Sequence, residues 1–143
     1  MNAKPAQALS ALLLLLWACS GIAHAELLFE QAQVRQPPPG ARATAGYVSI
    51  VNKGSSSVSL SKANASGVAM IQFHLSKTVD GIAKMIPHET LEIAAGKSLE
   101  LAPGGYHLML IGLSDLPPAG QSIVIDFTTS AGAYSIPFIV VKN

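Results

Sequence analysis

Residues 68–87, VAMIQFHLSKTVDGIAKMIP, contain two β-rich runs joined by Asp80-Gly81. Asp-Gly between such runs is a strong signal for a two-residue hairpin turn. A turn at this position places Ser76 opposite Met85. Because strand side chains alternate between two faces, His74 and Met85 then share one face as diagonal neighbours, with Cα atoms roughly 7–8 Å apart. By the same register, His88 points to the other face.

The rest of the chain repeats this pattern of short β-rich runs separated by turn residues, and no segment after residue 25 shows a sustained helical period. Such a pattern indicates an all-β sandwich or barrel, and the number of runs in this length matches a Greek-key sandwich. The predicted strands are residues 46–52, 58–63, 68–77, 82–86, 90–93, 98–101, 106–113, 121–129 and 134–141.

The first 25 residues have the pattern of an export signal. Lys4 supplies a positive start, residues 11–18 (ALLLLLWA) are apolar, and Ala23-His24-Ala25 is a small-x-small cleavage site. The apolar run is shorter than the ~20 residues that a transmembrane helix needs. We therefore predict a signal peptide of residues 1–25, cleavage after Ala25, and a single exported domain of residues 26–143.

The one cysteine offers an alternative to this cleavage. Leu16-Trp17-Ala18-Cys19 partly matches a lipoprotein cleavage box, which would leave Cys19 as a lipidated N-terminus. Trp17 is bulky where such boxes prefer small residues, so cleavage after Ala25 is the preferred prediction. In that case the mature chain has no cysteine, and both a disulfide and a cysteine nucleophile are excluded.

The charge balance excludes several classes of partner and function. The chain has nine Lys and Arg against eight Asp and Glu, and loss of Lys4 leaves eight of each. Without clustered cations, we predict no nucleic-acid partner and no attraction to anionic membranes. No Gly-x-Ser-x-Gly elbow or phosphate loop is present, and no pattern brings Asp80 or Asp126 near a histidine. The chain is therefore predicted not to be an enzyme. We also expect a monomer, although no sequence pattern specifies the oligomeric state.

Histidine and methionine are the chemically distinctive residues. Three of each follow residue 25, and His74, Met85, His107 and Met109 are four of these six. His107 and Met109 share a face of their predicted strand because they are two residues apart. Imidazole and thioether donors together favour Cu(I), whereas methionine is a poor ligand for zinc and a blue-copper site needs a cysteine.

The other two such residues, Met70 and His88, are predicted to lie outside the site. Met70 shares the face of His74 but lies about 13 Å away along an extended strand, so we expect it to pack in the core or at its rim. His88 lies between Pro87 and Glu89 and is expected to be solvent-exposed, as a substitute ligand at most.

The spacing of the four selected residues resembles the motif of the periplasmic copper chaperones called PCu(A)C. Ten residues separate His74 from Met85, twenty-one separate Met85 from His107, and one separates His107 from Met109. Residues 101–113, LAPGGYHLMLIGL, resemble the Pro-Gly-Gly-x-His-x-Met signature of that family, and residues 46–52, GYVSIVN, resemble its first long strand. The chain departs from the family pattern at Leu75, where members often have an acidic residue or methionine.

The resemblance implies a cupredoxin-like Greek-key β-sandwich in which the strands carrying the two His-Met pairs meet. It implies an exported protein that binds Cu(I) and delivers it to a copper-receiving protein, typically the CuA centre in subunit II of cytochrome c oxidase, or a second copper chaperone. Since no His- and Met-rich tail precedes Asn143, we expect one Cu(I) per chain. The alternative is an exported β-sandwich that serves as a structural or protein-binding module without a functional metal site.

Overall fold

The computed structural model describes residues 26–143, and this part of the chain is built from β-strands without a helix. The all-β prediction is thereby confirmed. No helix in this range has the length and apolar character to cross a bilayer. The strands are β1 (Leu27–Arg35), β2 (Ala43–Asn52), β3 (Val58–Ala65), β4 (Val68–Val79), β5 (Ile82–His88), β6 (Leu91–Ile93), β7 (Ser98–Leu101), β8 (Tyr106–Leu113), β9 (Ser122–Thr129) and β10 (Gly132–Val141).

These strands form one sheet in the order β5-β4-β8-β7-β2-β1-β10-β9-β3-β6, with further pairings of β8 with β2 and of β4 with β3. The last pairing is a single register position, Ala63 opposite Ile71, and it closes the sheet on itself. The result is barrel-like. The finer prediction of a Greek-key sandwich with cupredoxin connections stays a prediction.

The core forms because alternate residues of the strands point inward. Strand β9 shows this most clearly, since every second residue from Ile123 onward is buried and those between are exposed. The Phe127 ring packs against Phe29 at 5.3 Å and Phe138 at 6.1 Å between centroids. Each such side chain, when fully buried, stabilises the fold by about 1.5–3 kcal/mol.

The nine predicted strands all appear, and β7 and β8 have the predicted bounds. The first strand, β1, was missed. Its register against β2 shifts between Glu30 and Gln33, and Gln31 has a positive φ of 53°. This bulge interrupts the alternation of side chains by which a strand is recognised in a sequence.

Candidate metal centre

The hairpin of β4 and β5 has the register that the sequence predicts. Asp80 and Gly81 both have positive φ, 53° and 75°, which is the requirement of the tight turn favoured by Asp-Gly. Ser76 lies opposite Met85, and His74 lies opposite Pro87. His74 and Met85 are therefore diagonal neighbours on one face, as predicted.

Strand β8 lies on the other side of β4 and brings the second His-Met pair to the first. His107 is the direct cross-strand partner of His74, and Met109 lies opposite Gln72. The two imidazole rings meet edge to face, with centroids 5.8 Å apart and planes at 76°. Strand alternation then places the four predicted residues on one face of three adjacent strands, with His74 in the middle.

This face is opposite the one that carries the core residues Phe73, Leu108 and Leu110. Burial nevertheless varies strongly across it. His107 is 3% exposed, whereas Met85 is 59% exposed. His74 and Met109 are half-buried between them. The candidate site therefore has a closed inner end at His107 and an open end at Met85.

The turn before β8 fixes the orientation of His107. Pro103 and Gly104 occupy the two central positions, Gly104 has a positive φ of 82°, and the Gly105 N–H donates to the Ala102 carbonyl at 3.1 Å. These are the features of a type II turn. The Gly105 carbonyl in turn accepts the His107 Nδ1–H at 3.2 Å. It also accepts the Ser76 N–H at 3.0 Å, which ties the turn to β4.

A carbonyl oxygen can only accept, so the contact with Gly105 places the proton of a neutral His107 on Nδ1 and leaves the Nε2 lone pair free. On His74, Nε2 lies 2.9 Å from the Gln72 side-chain oxygen. The other nitrogen of each ring, Nε2 of His107 and Nδ1 of His74, is buried without a hydrogen-bond partner among the described residues. Buried polar atoms are rarely left unpaired, so each such atom calls for an explanation.

Protonation of His74 is disfavoured in this position. Burial of the imidazole lowers the pKa of His74 from its ordinary value of 6.5, and the neighbouring His107 lowers this pKa further by charge repulsion. Both effects favour the neutral ring, which is the form that binds a metal ion.

Two imidazole nitrogens and two thioethers on one face of the sheet suit a soft monovalent cation such as Cu(I). Within residues 26–143, no three His, Cys, Asp or Glu side chains come together as a metal-binding group. The donor set that the fold assembles on this face is therefore a mixture of imidazole and thioether. It contains no carboxylate, which hard cations prefer.

The two residues predicted to lie outside the site differ in outcome. Met70 was expected to pack in the core or at the rim of the core. It is 48% exposed on the same face as His74, so it does not lie in the core. His88 opposes Phe73, as predicted, but the expectation of a solvent-exposed ring was wrong. Its ring is half-buried and packs edge to face on Tyr106 at 5.3 Å, because Tyr106 projects from that other face of the sheet.

One residue of the site was missed in the sequence. Gln72 contacts His74 directly, and its position two residues before His74 on the same strand is the signal that could have identified it. Four predicted features fall on residues 1–25, outside the described residues: the export signal, Cys19, His24 and the cleavage after Ala25.

Comparison with sequence families and curated proteins gives two matches. The model of the family described as "Putative lipoprotein LpqE-like" matches residues 27–140. A relative from Leifsonia xyli subsp. xyli (strain CTCB07), named "Putative lipoprotein Lxx21020", is 34% identical over 105 residues. These are 73% of this chain and 63% of the relative, so the chain spans less than two thirds of the length of that protein.

Solved structures share the fold. The copper-bound PCuAC domain from PmoF2 matches with a TM-score of 0.73 and 20% identity, over 85% of this chain and 97% of that domain. Apo-DR1885 from Deinococcus radiodurans matches with a TM-score of 0.63 and 26% identity, over 100% of this chain and 93% of that one. The CuI form of DR1885 matches with a TM-score of 0.58 and 25% identity, over 87% of this chain and 83% of that one.

Proposed function

The chain belongs to the LpqE-like family, and from this premise we propose that it is an exported carrier of copper that binds one Cu(I) per chain and passes it to another protein. The ligands are His74, Met85, His107 and Met109. The observation that carries the proposal is the pair of buried, unpartnered nitrogens on His74 and His107, two residues that lie directly opposite each other on adjacent strands with ring centroids 5.8 Å apart and that share their face with Met85 and Met109. Nε2 of His88 is also buried without a partner, but His88 lies on the other face of the sheet. A bound cation would satisfy both nitrogens.

The likeness to DR1885, whose structure was solved in a CuI form at 25% identity to this chain, supports this proposal. The fold shared with the copper-bound PCuAC domain agrees with it. The mixture of neutral imidazole and thioether ligands holds Cu(I) less tightly than thiolates do, and this difference favours transfer to a receiving site built on cysteines.

The difference in burial between His107 and Met85 suggests different roles for these two ligands in copper transfer. The Gly105 carbonyl orients His107 at the closed end of the site, so His107 is the ligand that retains the copper ion. Met85 is the most exposed of the four, and it is the ligand that an incoming donor or acceptor can replace first. Transfer then proceeds by exchange of one ligand at a time. None of these steps makes or breaks a covalent bond of a substrate, so the role is that of a carrier and not of an enzyme.

The receiving protein we propose is one that carries a thiolate copper site outside the cytoplasm. The CuA centre of cytochrome c oxidase subunit II and a second copper chaperone both fit this description. The signal-like residues 1–25 support export, and the compartment we propose is the periplasm. The lipoprotein descriptions of the family and of the relative support the Cys19 anchor, whereas the small-x-small motif supports cleavage after Ala25. The intact mass of the mature protein distinguishes these two routes.

The decisive test is a Cu(I) titration of the purified protein in competition with a chromophoric chelator. We expect one equivalent of Cu(I) to bind to the wild type, and this binding to be lost in a His107→Ala/Met109→Ala double variant. His88→Ala is the matched control, since it removes a half-buried histidine from the other face of the same sheet and should leave binding intact. Failure of the wild type to compete with the chelator would overturn the copper proposal and favour a protein-binding module.

A further inference from the structure

Gln72 contacts two side chains on the candidate site's face and lies opposite a third residue of that face. It lies between Met70 and His74 along β4, and it is the cross-strand partner of Met109 on β8. Its side-chain oxygen is 2.9 Å from Nε2 of His74, and its side-chain nitrogen is 3.5 Å from the Met70 sulfur. The contact with His74 is partly buried, whereas the contact with Met70 is exposed to solvent.

The Met70 sulfur favours one orientation of this amide. A thioether sulfur accepts hydrogen bonds and has no proton to donate. Only the orientation with the amide NH2 toward Met70 and the amide oxygen toward His74 makes both contacts hydrogen bonds. In that orientation, the neutral His74 ring carries its proton on Nε2, and the lone pair is left on the buried Nδ1.

We propose that Gln72 is a positioning residue of the site, which fixes the tautomer and the ring orientation of His74 so that Nδ1 is the nitrogen available to the cation. This inference rests on the proposed copper function and adds the residue that selects one of the two nitrogens. The Gly105 carbonyl has the same role for His107. In histidine metal sites, such partners of the distal nitrogen typically change metal affinity by about 10- to 100-fold.

Two substitutions separate this role from a general effect on structure. Gln72→Leu keeps much of the side-chain volume but removes the acceptor, so the neutral His74 ring becomes free to populate both tautomers. Gln72→Glu keeps an oxygen acceptor for Nε2–H and therefore retains the tautomer. Since Gln72 lies on the face opposite the core, both variants are expected to fold, which far-UV circular dichroism checks.

The experiment has two readouts. Long-range 1H–15N correlation spectra of the metal-free protein near neutral pH report which nitrogen of His74 carries the proton. We expect Nε2–H in the wild type and in Gln72→Glu, and a mixture in Gln72→Leu. Cu(I) competition then gives the affinity, which we expect to fall about 10- to 100-fold in Gln72→Leu and only a few-fold in Gln72→Glu.

The outcomes distinguish the two proposals. If the wild type binds Cu(I) but Gln72→Leu retains both the wild-type tautomer and the wild-type affinity, the role of Gln72 is overturned while the copper function stands. The same conclusion follows if Gln72→Glu loses the tautomer as Gln72→Leu does. If the wild type binds no Cu(I), the proposed function itself fails.

Discussion

His74 on β4 and His107 on β8 lie directly opposite each other, and their rings meet edge to face at 5.8 Å between centroids. Each ring has one nitrogen in contact with an oxygen acceptor and the other buried without a partner. The acceptors differ in kind, since Gly105 offers its main-chain carbonyl and Gln72 its side chain. The backbone therefore orients His107, whereas a replaceable side chain orients His74.

The exposed end of the site is expected to contribute less to affinity than the buried end. Met85→Leu should lower Cu(I) affinity about tenfold, roughly 1.4 kcal/mol, because water or an external donor can replace a thioether that is 59% exposed. His107→Ala should cost considerably more, since it removes a buried, oriented imidazole. Competition with a Cu(I) chelator measures both affinities.

Ile82→Leu is the control for the Met85 variant. Ile82 is 62% exposed on the same strand, but its register places it on the opposite face. The Ile82→Leu substitution should therefore leave the Cu(I) affinity unchanged. Equal losses in Met85→Leu and His107→Ala would contradict the assignment of a labile and a fixed end.

The metal-free protein should lose stability in mild acid through His74. Burial and the neighbouring His107 lower the pKa of His74 in the folded state below its ordinary value of 6.5. Between these two pKa values the unfolded chain binds more protons than the folded one, so the free energy of unfolding falls as pH falls through this window. Urea unfolding at about pH 7.5 and about pH 5.5 measures the loss.

His74→Gln should lose less stability than the wild type over the same interval, because it lacks this titrating group. The difference between the two proteins therefore reports His74 together with its charge repulsion from His107. If the variant lost as much stability as the wild type, His74 would not be the source of the acid sensitivity.

The part of the site that the sequence could predict is the part that depends on local structure. The Asp80-Gly81 turn and the alternation of side chains are enough to set the register between His74 and Met85. The pairing of β4 with β8 was predicted only from the resemblance to the copper chaperone family. That contact is non-local, and nothing in either strand specifies its neighbour, because many β-rich runs could pair with it.

Two features escaped the sequence for different physical reasons. Strand β1 was missed because the bulge at Gln31 interrupts its alternation. Gln72 was missed because its importance comes from one side-chain contact with His74, and a glutamine on the outer face of a strand is ordinarily only a solvated residue. The exposure of Met70 could not be predicted either, because it depends on how the sheet closes into a barrel, and no local sequence pattern determines that.

Glycines with the same backbone conformation should differ in their tolerance of a methyl group. Gly81 and Gly112 have φ of 75° and 72°, so alanine at either position costs about 1–2 kcal/mol of backbone strain. At Gly81 a Cβ would meet nothing within 4 Å, whereas at Gly112 it would lie 2.6 Å from the Ala69 Cβ.

Gly112→Ala should therefore cost about 1–3 kcal/mol more than Gly81→Ala, because β4 and β8 must separate to admit the methyl group. Denaturant unfolding of the two variants measures this difference. Similar free energies of unfolding for the two variants would show that the close approach at Ala69 relaxes without cost.

Asn52 at the end of β2 should be one of the most sensitive polar positions. Its side chain is fully buried and donates to the carbonyls of Ser56 at 2.7 Å and Ile93 at 3.0 Å, while its oxygen accepts the Gly54 N–H at 3.0 Å. Asn52→Ala leaves three main-chain groups without this partner. At about 0.5–1.5 kcal/mol for each of the three bonds, the free energy of unfolding should fall by roughly 1.5–4.5 kcal/mol.

Ser57→Ala is the matched control for this variant. Ser57 donates to the Glu92 carboxylate at 2.6 Å, but it is exposed, and water replaces such a bond at little cost. Its removal should change stability by no more than about 0.5 kcal/mol. Urea unfolding compares the stability of the two variants. The Cu(I) affinity should be unchanged in both, because neither residue lies on the face that carries the candidate site. A loss in Asn52→Ala as small as that in Ser57→Ala would mean that water enters the site and satisfies the groups left behind.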